Sequence, residues 1–186
     1  MSGRALSGAV DLDWTRPAAN VDWTVARTVA HIAEGLLWYA TDMAAGPTEL
    51  STLDLTVRSE TPPTDLLVSV RSFGIVLARV LDAADPADRG WHPLGLPDAS
   101  GFAGSACDEI LVHTADAAAG LGLECAPSTG LIEAILHRMF PGAPTDTDPW
   151  QTLLWANGRV DLPGRERQVR WRWHCAPLSE WAAGSS

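Results

Sequence analysis

Residues 98–123 read DASGFAGSACDEILVHTADAAAGLGL, and the interpretation of the whole chain starts from this stretch. The pattern predicts a helix that begins after Gly104, with Ser105 as its N-cap and Asp108, three residues on, imitating a capping box. Apolar residues then recur at helical spacing, and two glycines are natural helix ends. The apolar positions are Ile110, Leu111, Ala117 and Ala118, and the glycines are Gly120 and Gly122.

Glu109 and His113 stand four residues apart within this predicted helix. At about 3.6 residues per turn they share one face, so the carboxylate and the imidazole can close on one metal ion. Asp116 follows one turn later and can orient the His113 ring. The alternative is a solvated Glu–His pair, which is the commoner meaning of such a spacing.

Composition limits the classes of function. The chain has 186 residues and a net charge of −10, and all 13 of its basic residues are arginine. We expect one domain over residues 1–186 that binds no nucleic acid, because a nucleic-acid binder normally carries a basic surface. No apolar run approaches ~18 residues, so no membrane span is expected, and the N-terminus lacks a secretory h-region.

Three cysteines, at positions 107, 125 and 175, show no C-x-x-C spacing. An odd number without that spacing indicates free thiols in a reducing cytoplasm rather than a disulfide framework. The expected location is therefore cytoplasmic.

Five further helices are predicted from periodicity and end signals. They cover residues 4–12, from Trp23 to about Ala45, about 64–84, about 129–140, and a short segment that starts at Pro149 and ends at Asn157. The segment 53–58 is a candidate extended piece. Alternation in QVRWRWH, residues 168–174, predicts a strand.

Two further features bear on function. His31 lies near the middle of the second predicted helix and is either a third metal ligand or a hydrogen-bonded core histidine. Arginines cluster in the tail, where they form either a solvated face or a clamp for a ligand carboxylate. These arginines are Arg159, Arg165, Arg167, Arg170 and Arg172. Pocket or core aromatics are Trp38, Tyr39, Trp91, Phe102 and Trp155, whereas His92 and His137 are expected at the surface.

The segment WTVARTVAHIAE, residues 23–34, and the later CDEILVHTADAAAGLGL, residues 107–123, together resemble the N-terminal domain of mycothiol-dependent maleylpyruvate isomerase. That family is part of the DinB-like superfamily. The resemblance spans roughly residues 5–140 and implies an all-α, DinB-like four-helix bundle. Residues 141–186 would then form an extension with a short helix and a strand. It also implies that His31, Glu109 and His113 bind a divalent metal.

What the family does supplies the expected chemistry. Two imidazoles and a carboxylate with an open position suit a catalytic zinc site, and they also suit Fe(II) or Ni(II). In the family the open position takes the thiol of mycothiol or a relative, which attacks a small electrophile in a transferase or isomerase reaction. Two alternatives stay open: a hydrolase that uses metal-bound water, and a DinB-like protein without catalysis.

The resemblance also predicts differences. In the isomerase, a second domain supplies an arginine to the active site, so here Arg159 or another tail arginine is the candidate anion clamp. We expect a homodimer, because the N-terminal helix is short and DinB-like proteins are often dimers. A Cys175–His174 nucleophile is a weak further idea, since neighbours on a strand face opposite ways.

Overall fold

The computed structural model describes residues 6–182, and within that range the chain is all-α, with five helices and no β-strand. The helices are α1 (Val25–Ala45), α2 (Pro63–Asp82), α3 (Ala99–Gly120), α4 (Thr129–Met139) and α5 (Pro149–Ala156), followed by a 3₁₀ turn at Leu178–Glu180. The predicted helix at residues 4–12 lies partly outside the described residues, and only residues 6–7 of it are described as helical.

Helix α1 begins and ends at residues whose chemistry explains both ends. Thr24 is the N-cap, and its hydroxyl accepts a hydrogen bond from the N–H of Arg27. The prediction that this helix begins at Trp23 was therefore wrong by two residues. Gly46 ends the helix at φ +89°, a backbone conformation that glycine adopts without a Cβ penalty.

Helix α3 starts earlier than its sequence predicted. Asp98 is the N-cap and accepts from the N–H of Gly101, so the proposed start at Ser105 was wrong. Gly101 and Gly104 lie inside the helix, at positions where neighbouring atoms approach too closely for a side chain. A Cβ at Gly101 would overlap the Cys175 carbonyl oxygen, and one at Gly104 would overlap the Met139 sulfur. The predicted end at Gly120 is confirmed.

Helices α1, α2 and α3 pack against one another, and α3, α4 and α5 pack in succession, so the contacts are those of a helical bundle. Two apolar clusters fill the interior. One includes Leu36, Phe102 and Leu111, and the other includes Val29 and Ala117. Both clusters share α1 and α3. On each of these helices the change from one cluster to the other falls at the predicted ligands, His31 on α1 and His113 on α3.

One further prediction was wrong. The strand at residues 168–174 is absent, because this segment has no ladder partner. It packs against α3 instead, where the indole N–H of Trp173 donates to Asp108. None of the helices between residues 6 and 182 combines the length and apolarity that a membrane span requires.

Candidate metal centre

Three side chains from two helices converge in the middle of the bundle. The Nε2 atom of His113 lies 3.2 Å from Glu109 Oε2, and the Nε2 atom of His31 lies 3.6 Å from the same oxygen. Helical spacing places the first pair on one face of α3, and the packing of α1 against α3 brings His31 to them. The three predicted ligands therefore stand together, with one donor atom from each within 4.8 Å of the others.

These positions fit a divalent cation. Ligands at about 2.1 Å from a tetrahedral metal are about 3.4 Å apart, close to the two separations observed. The Glu109 Oε2 atom is buried, faces both imidazoles and has no hydrogen-bond partner. A buried acceptor normally finds a partner, so an ion at this point would remove an unmet requirement. Within residues 6–182, no other three His, Cys, Asp or Glu side chains place one donor atom each within 4.8 Å of the others.

Each imidazole has a second carboxylate behind it. The Nδ1 atom of His113 lies 3.2 Å from Asp116 Oδ2, and the Nδ1 atom of His31 lies 4.0 Å from Glu34 Oε2. The first contact is an ion pair without good hydrogen-bond alignment, since Nδ1 of His113 has no hydrogen-bond partner of acceptable geometry. Carboxylates behind metal-binding histidines fix the ring and the tautomer, so this arrangement leaves both Nε2 atoms free for the shared centre.

The pKa values of the two histidines shift in opposite directions. Burial, the largest influence, lowers the pKa of His31, and this outweighs the effect of Glu109. Burial also acts to lower the pKa of His113, but the contacts with Asp116 and Glu109 prevail and raise that pKa to about 9. Although burial opposes it, contact with His113 and His31 lowers the pKa of Glu109. Without metal, the site therefore holds a protonated His113 against ionised carboxylates.

Asp116 is supported from two directions. Asn20, held at φ +59°, donates its amide N–H to Asp116 Oδ1 over 3.0 Å, and Arg159 donates to Oδ2 over 2.9 Å. Arg159 is the arginine proposed as an anion clamp. Its guanidinium is largely buried and is already paired with Asp116 and with the carbonyl of Asn157. It reaches the site through Asp116 and His113, and a direct role toward an anion stays a prediction.

Sequence reasoning missed the role of Asp108, which it had placed in a capping box. The carboxylate is 1% exposed and accepts from the indole N–H of Trp173 over 2.8 Å and from the amide of Asn157 over 3.0 Å. Burial raises the pKa of Asp108 to about 7. The signal available in the sequence was its place directly before Glu109, which puts it about 100° around the helix from that ligand.

The remaining candidates fall elsewhere. His92 is half-buried beside the rings of Tyr39 and Trp173, so the expectation of an exposed loop residue was wrong. Cys175 lies 3.6 Å from Nδ1 of His92, and burial raises the pKa of its thiol to about 11. It is therefore protonated near neutral pH, which argues against the Cys175–His174 nucleophile.

Three expectations about side chains agree with the structure. His137 is exposed on α4. Cys107, Cys125 and Cys175 are all unpaired. Of the aromatic candidates, Tyr39 and Phe102 belong to the core, whereas Trp38 lines a groove beside His31.

Comparison with known proteins supports the resemblance seen in the two motifs. A family model described as the mycothiol maleylpyruvate isomerase N-terminal domain matches residues 2–118, more than half of the chain. The match covers His31, Glu109 and His113 and ends before the tail that supplies Arg159 and Trp173. Neither the curated proteins nor the solved structures contain a significant match.

Proposed function

The chain belongs to the mycothiol maleylpyruvate isomerase N-terminal domain family, and from this membership we propose that it is a divalent-metal-dependent enzyme. It would activate a low-molecular-weight thiol of the mycothiol type for transfer to, or isomerisation of, a small electrophile. We also assign its bundle to the DinB-like four-helix class. Zinc is the metal we expect first, with nickel or iron as substitutes that the same ligands accept.

One observation carries the proposal: a buried carboxylate oxygen without a hydrogen bond lies between two imidazole nitrogens, each of which is backed by another carboxylate. A solvated Glu–His pair, the alternative from sequence, needs no third residue from another helix. The side chains of Glu109 and His113 are only 15% and 11% exposed, which also argues against a solvated pair. Burying ionisable side chains costs free energy, because they lose their hydration, unless a charged partner compensates that loss.

Some residues of the site would bind the metal ion, and others would orient those ligands. A divalent ion held there supplies the Lewis acidity that lowers the pKa of a thiol in its open coordination position. His31, Glu109 and His113 would hold the ion, and three protein ligands leave a fourth position for the thiol. Asp116 would keep His113 oriented with its Nε2 toward the centre. His31 has the most exposed side chain of the three, at 26%, so a thiol would reach the ion from the side that His31 borders.

The test is the metal content of the purified protein and of matched variants. We expect about one divalent ion per chain in the wild type and loss of it in His31→Ala and His113→Ala. His137→Ala, an exposed histidine on α4, is the matched control and should keep the metal. Retention of stoichiometric metal by both site variants would refute the assignment.

A second measurement addresses the thiol. The cobalt-substituted protein should develop a sulfur-to-cobalt charge-transfer band when mycothiol is added, and His113→Ala should not. A protein that holds metal but gives no such band would instead support the hydrolytic alternative, in which water takes the open position.

A further inference from the structure

A groove of about 460 Å³ runs along α1 and passes His31. Four side chains of α1 line it at helical spacing, Arg27, His31, Glu34 and Trp38, and segment 55–60 forms the facing wall. Its size lies within the ~300–1,000 Å³ of typical small-molecule sites. The groove therefore adjoins the proposed metal centre on the side of its most exposed ligand.

Glu34 holds the two walls together. Its Oε1 atom accepts a hydrogen bond from the backbone N–H of Val57 over 2.8 Å, and its Oε2 atom pairs with Arg27 at 2.9 Å. The carboxylate is 4% exposed, so both contacts form in a largely dry environment. The hydrogen bond to Glu34 holds segment 55–60, which has no strand partner, beside α1.

The charges that line the groove cancel. Arg27 is neutralised by Glu34, and Arg58 and Glu60 at the opposite rim carry one charge of each sign. Arg27 also lies over the ring of Trp23, 5.3 Å from its centre. A ligand anion would have to compete with Glu34 for Arg27, so the lining gives no net attraction to negative charge.

Aromatic surface remains available. The indole of Trp38 is 41% exposed and lines one end of the groove. Trp23 lines the groove nearer the metal centre, with its ring centre 4.7 Å from that of His31. Flat rings stack favourably on such side chains, by about 0.5–1.5 kcal/mol beyond the area that they bury.

We propose that this groove binds an uncharged, planar aromatic group, and that Trp38 and the balanced Arg27–Glu34 pair determine this preference. On the proposed function, from which this assignment follows, the group is the part of the electrophilic substrate that does not react. The groove directs the reactive carbon toward His31. Trp38 and Glu34 are thus specificity-determining residues outside the set of metal ligands.

The experiment compares three two-ring probes by calorimetric titration: 2-naphthamide, 2-naphthoate and the saturated decahydro-2-naphthamide. It is done on zinc-loaded protein and on chelator-treated protein, because a carboxylate could otherwise bind the metal itself. We expect naphthamide to bind several-fold more tightly than either of the other probes in both preparations. Trp38→Leu should weaken naphthamide about fivefold, the loss expected for one stacking contact.

Glu34→Gln is the second variant, and it keeps an oxygen to accept the Val57 N–H while it removes the charge that balances Arg27. It should shift the preference toward naphthoate by about threefold to fivefold, the range of a partly exposed ion pair. The Trp171→Leu variant is the control and should bind the probes as the wild type does, since Trp171 lines a separate aromatic groove in the tail.

The outcomes are distinct. Tighter binding of naphthoate in chelator-treated protein, or loss of binding in Trp171→Leu but not in Trp38→Leu, would overturn the inference. Binding that depends on Trp38 in a protein that never takes up metal would leave the inference standing while the proposed function fails.

Discussion

Uptake of zinc at pH 7.5 should release about one proton per chain, and that proton should come from His113. In the metal-free protein, burial acts against the charged imidazole, but Asp116 and Glu109 raise the pKa of His113 to about 9. Burial lowers the pKa of His31, so this histidine is already neutral. A histidine must be neutral to bind a metal, so only His113 has a proton to give up.

The size of the effect follows from the pKa. At pH 7.5 a group with a pKa of about 9 is about 97% protonated, so release approaches one proton. The apparent affinity for zinc should then rise about tenfold for each pH unit, and level off as the pH passes the pKa of His113. The sign is fixed, because a folded-state pKa raised above the usual histidine value makes protons competitors of the metal across this whole range.

Calorimetric titration of zinc, in competition with a chelator and in two buffers of different ionisation enthalpy, measures the number of protons released. Asp116→Asn removes the contact that raises the pKa of His113 most, so release at pH 7.5 should fall clearly below one proton. His137→Ala is the control and should behave as wild type. Equal heats in the two buffers, or unchanged release in Asp116→Asn, would refute this account of the site.

Two predictions concern the framework around the site. Gly101→Ala should lower the free energy of unfolding in urea by about 1–3 kcal/mol, because the new Cβ would meet the Cys175 carbonyl oxygen. Gly130→Ala, where no neighbour lies within 4 Å of the added carbon, should be neutral or stabilise by up to about 1 kcal/mol, and a comparable loss there would contradict the argument. Arg159→Met should cost about 3 kcal/mol in the same assay, because it leaves the buried charge of Asp116 without its arginine. An unchanged urea midpoint, together with a loss of affinity for an anionic ligand, would instead favour the anion clamp.

The sequence predicted the helices well where their ends depend on local chemistry. The end of α1 at Gly46, the Pro149 start of α5 and the extent of α4 all follow from residues next to those positions. The start of α3 does not, because Gly101 and Gly104 are breakers by propensity and close-packing residues in the fold. That distinction depends on Cys175 and Met139, which are distant in the sequence, so no local rule could supply it.

In the candidate site, too, relationships within one helix were predictable, whereas contacts between distant segments were not. Glu109, His113 and Asp116 share a helix face, so their relationship was predictable from spacing alone. His31 required the family resemblance, because nothing in the sequence of one helix specifies which residue of another will face it. Asn20 and the groove beside Trp38 were not predictable, since each depends on how a loop or an extended segment packs back onto a helix.

The tail shows why the segment that matches the family model is not the whole structural unit. Helix α3 carries two deeply buried acids, Asp108 and Asp116, one on each side of the ligands Glu109 and His113 in the sequence. Asp108 is satisfied by Trp173 and Asn157, and Asp116 by Arg159 as well as Asn20. Three of these four partners lie beyond residue 118, where the family match ends.

Removing the tail would leave both acids without those partners. For Asp116, the loss of Arg159 would leave a buried charge without its ion-pair partner, which typically costs about 3–5 kcal/mol. That is a large part of the roughly 5–15 kcal/mol by which a domain is stable. The same contacts position the ligands, because Asp116 lies behind His113 and Asp108 adjoins Glu109 on the helix. In this chain the residues after 118 therefore supply buried partners to the helix that carries two of the three proposed metal ligands.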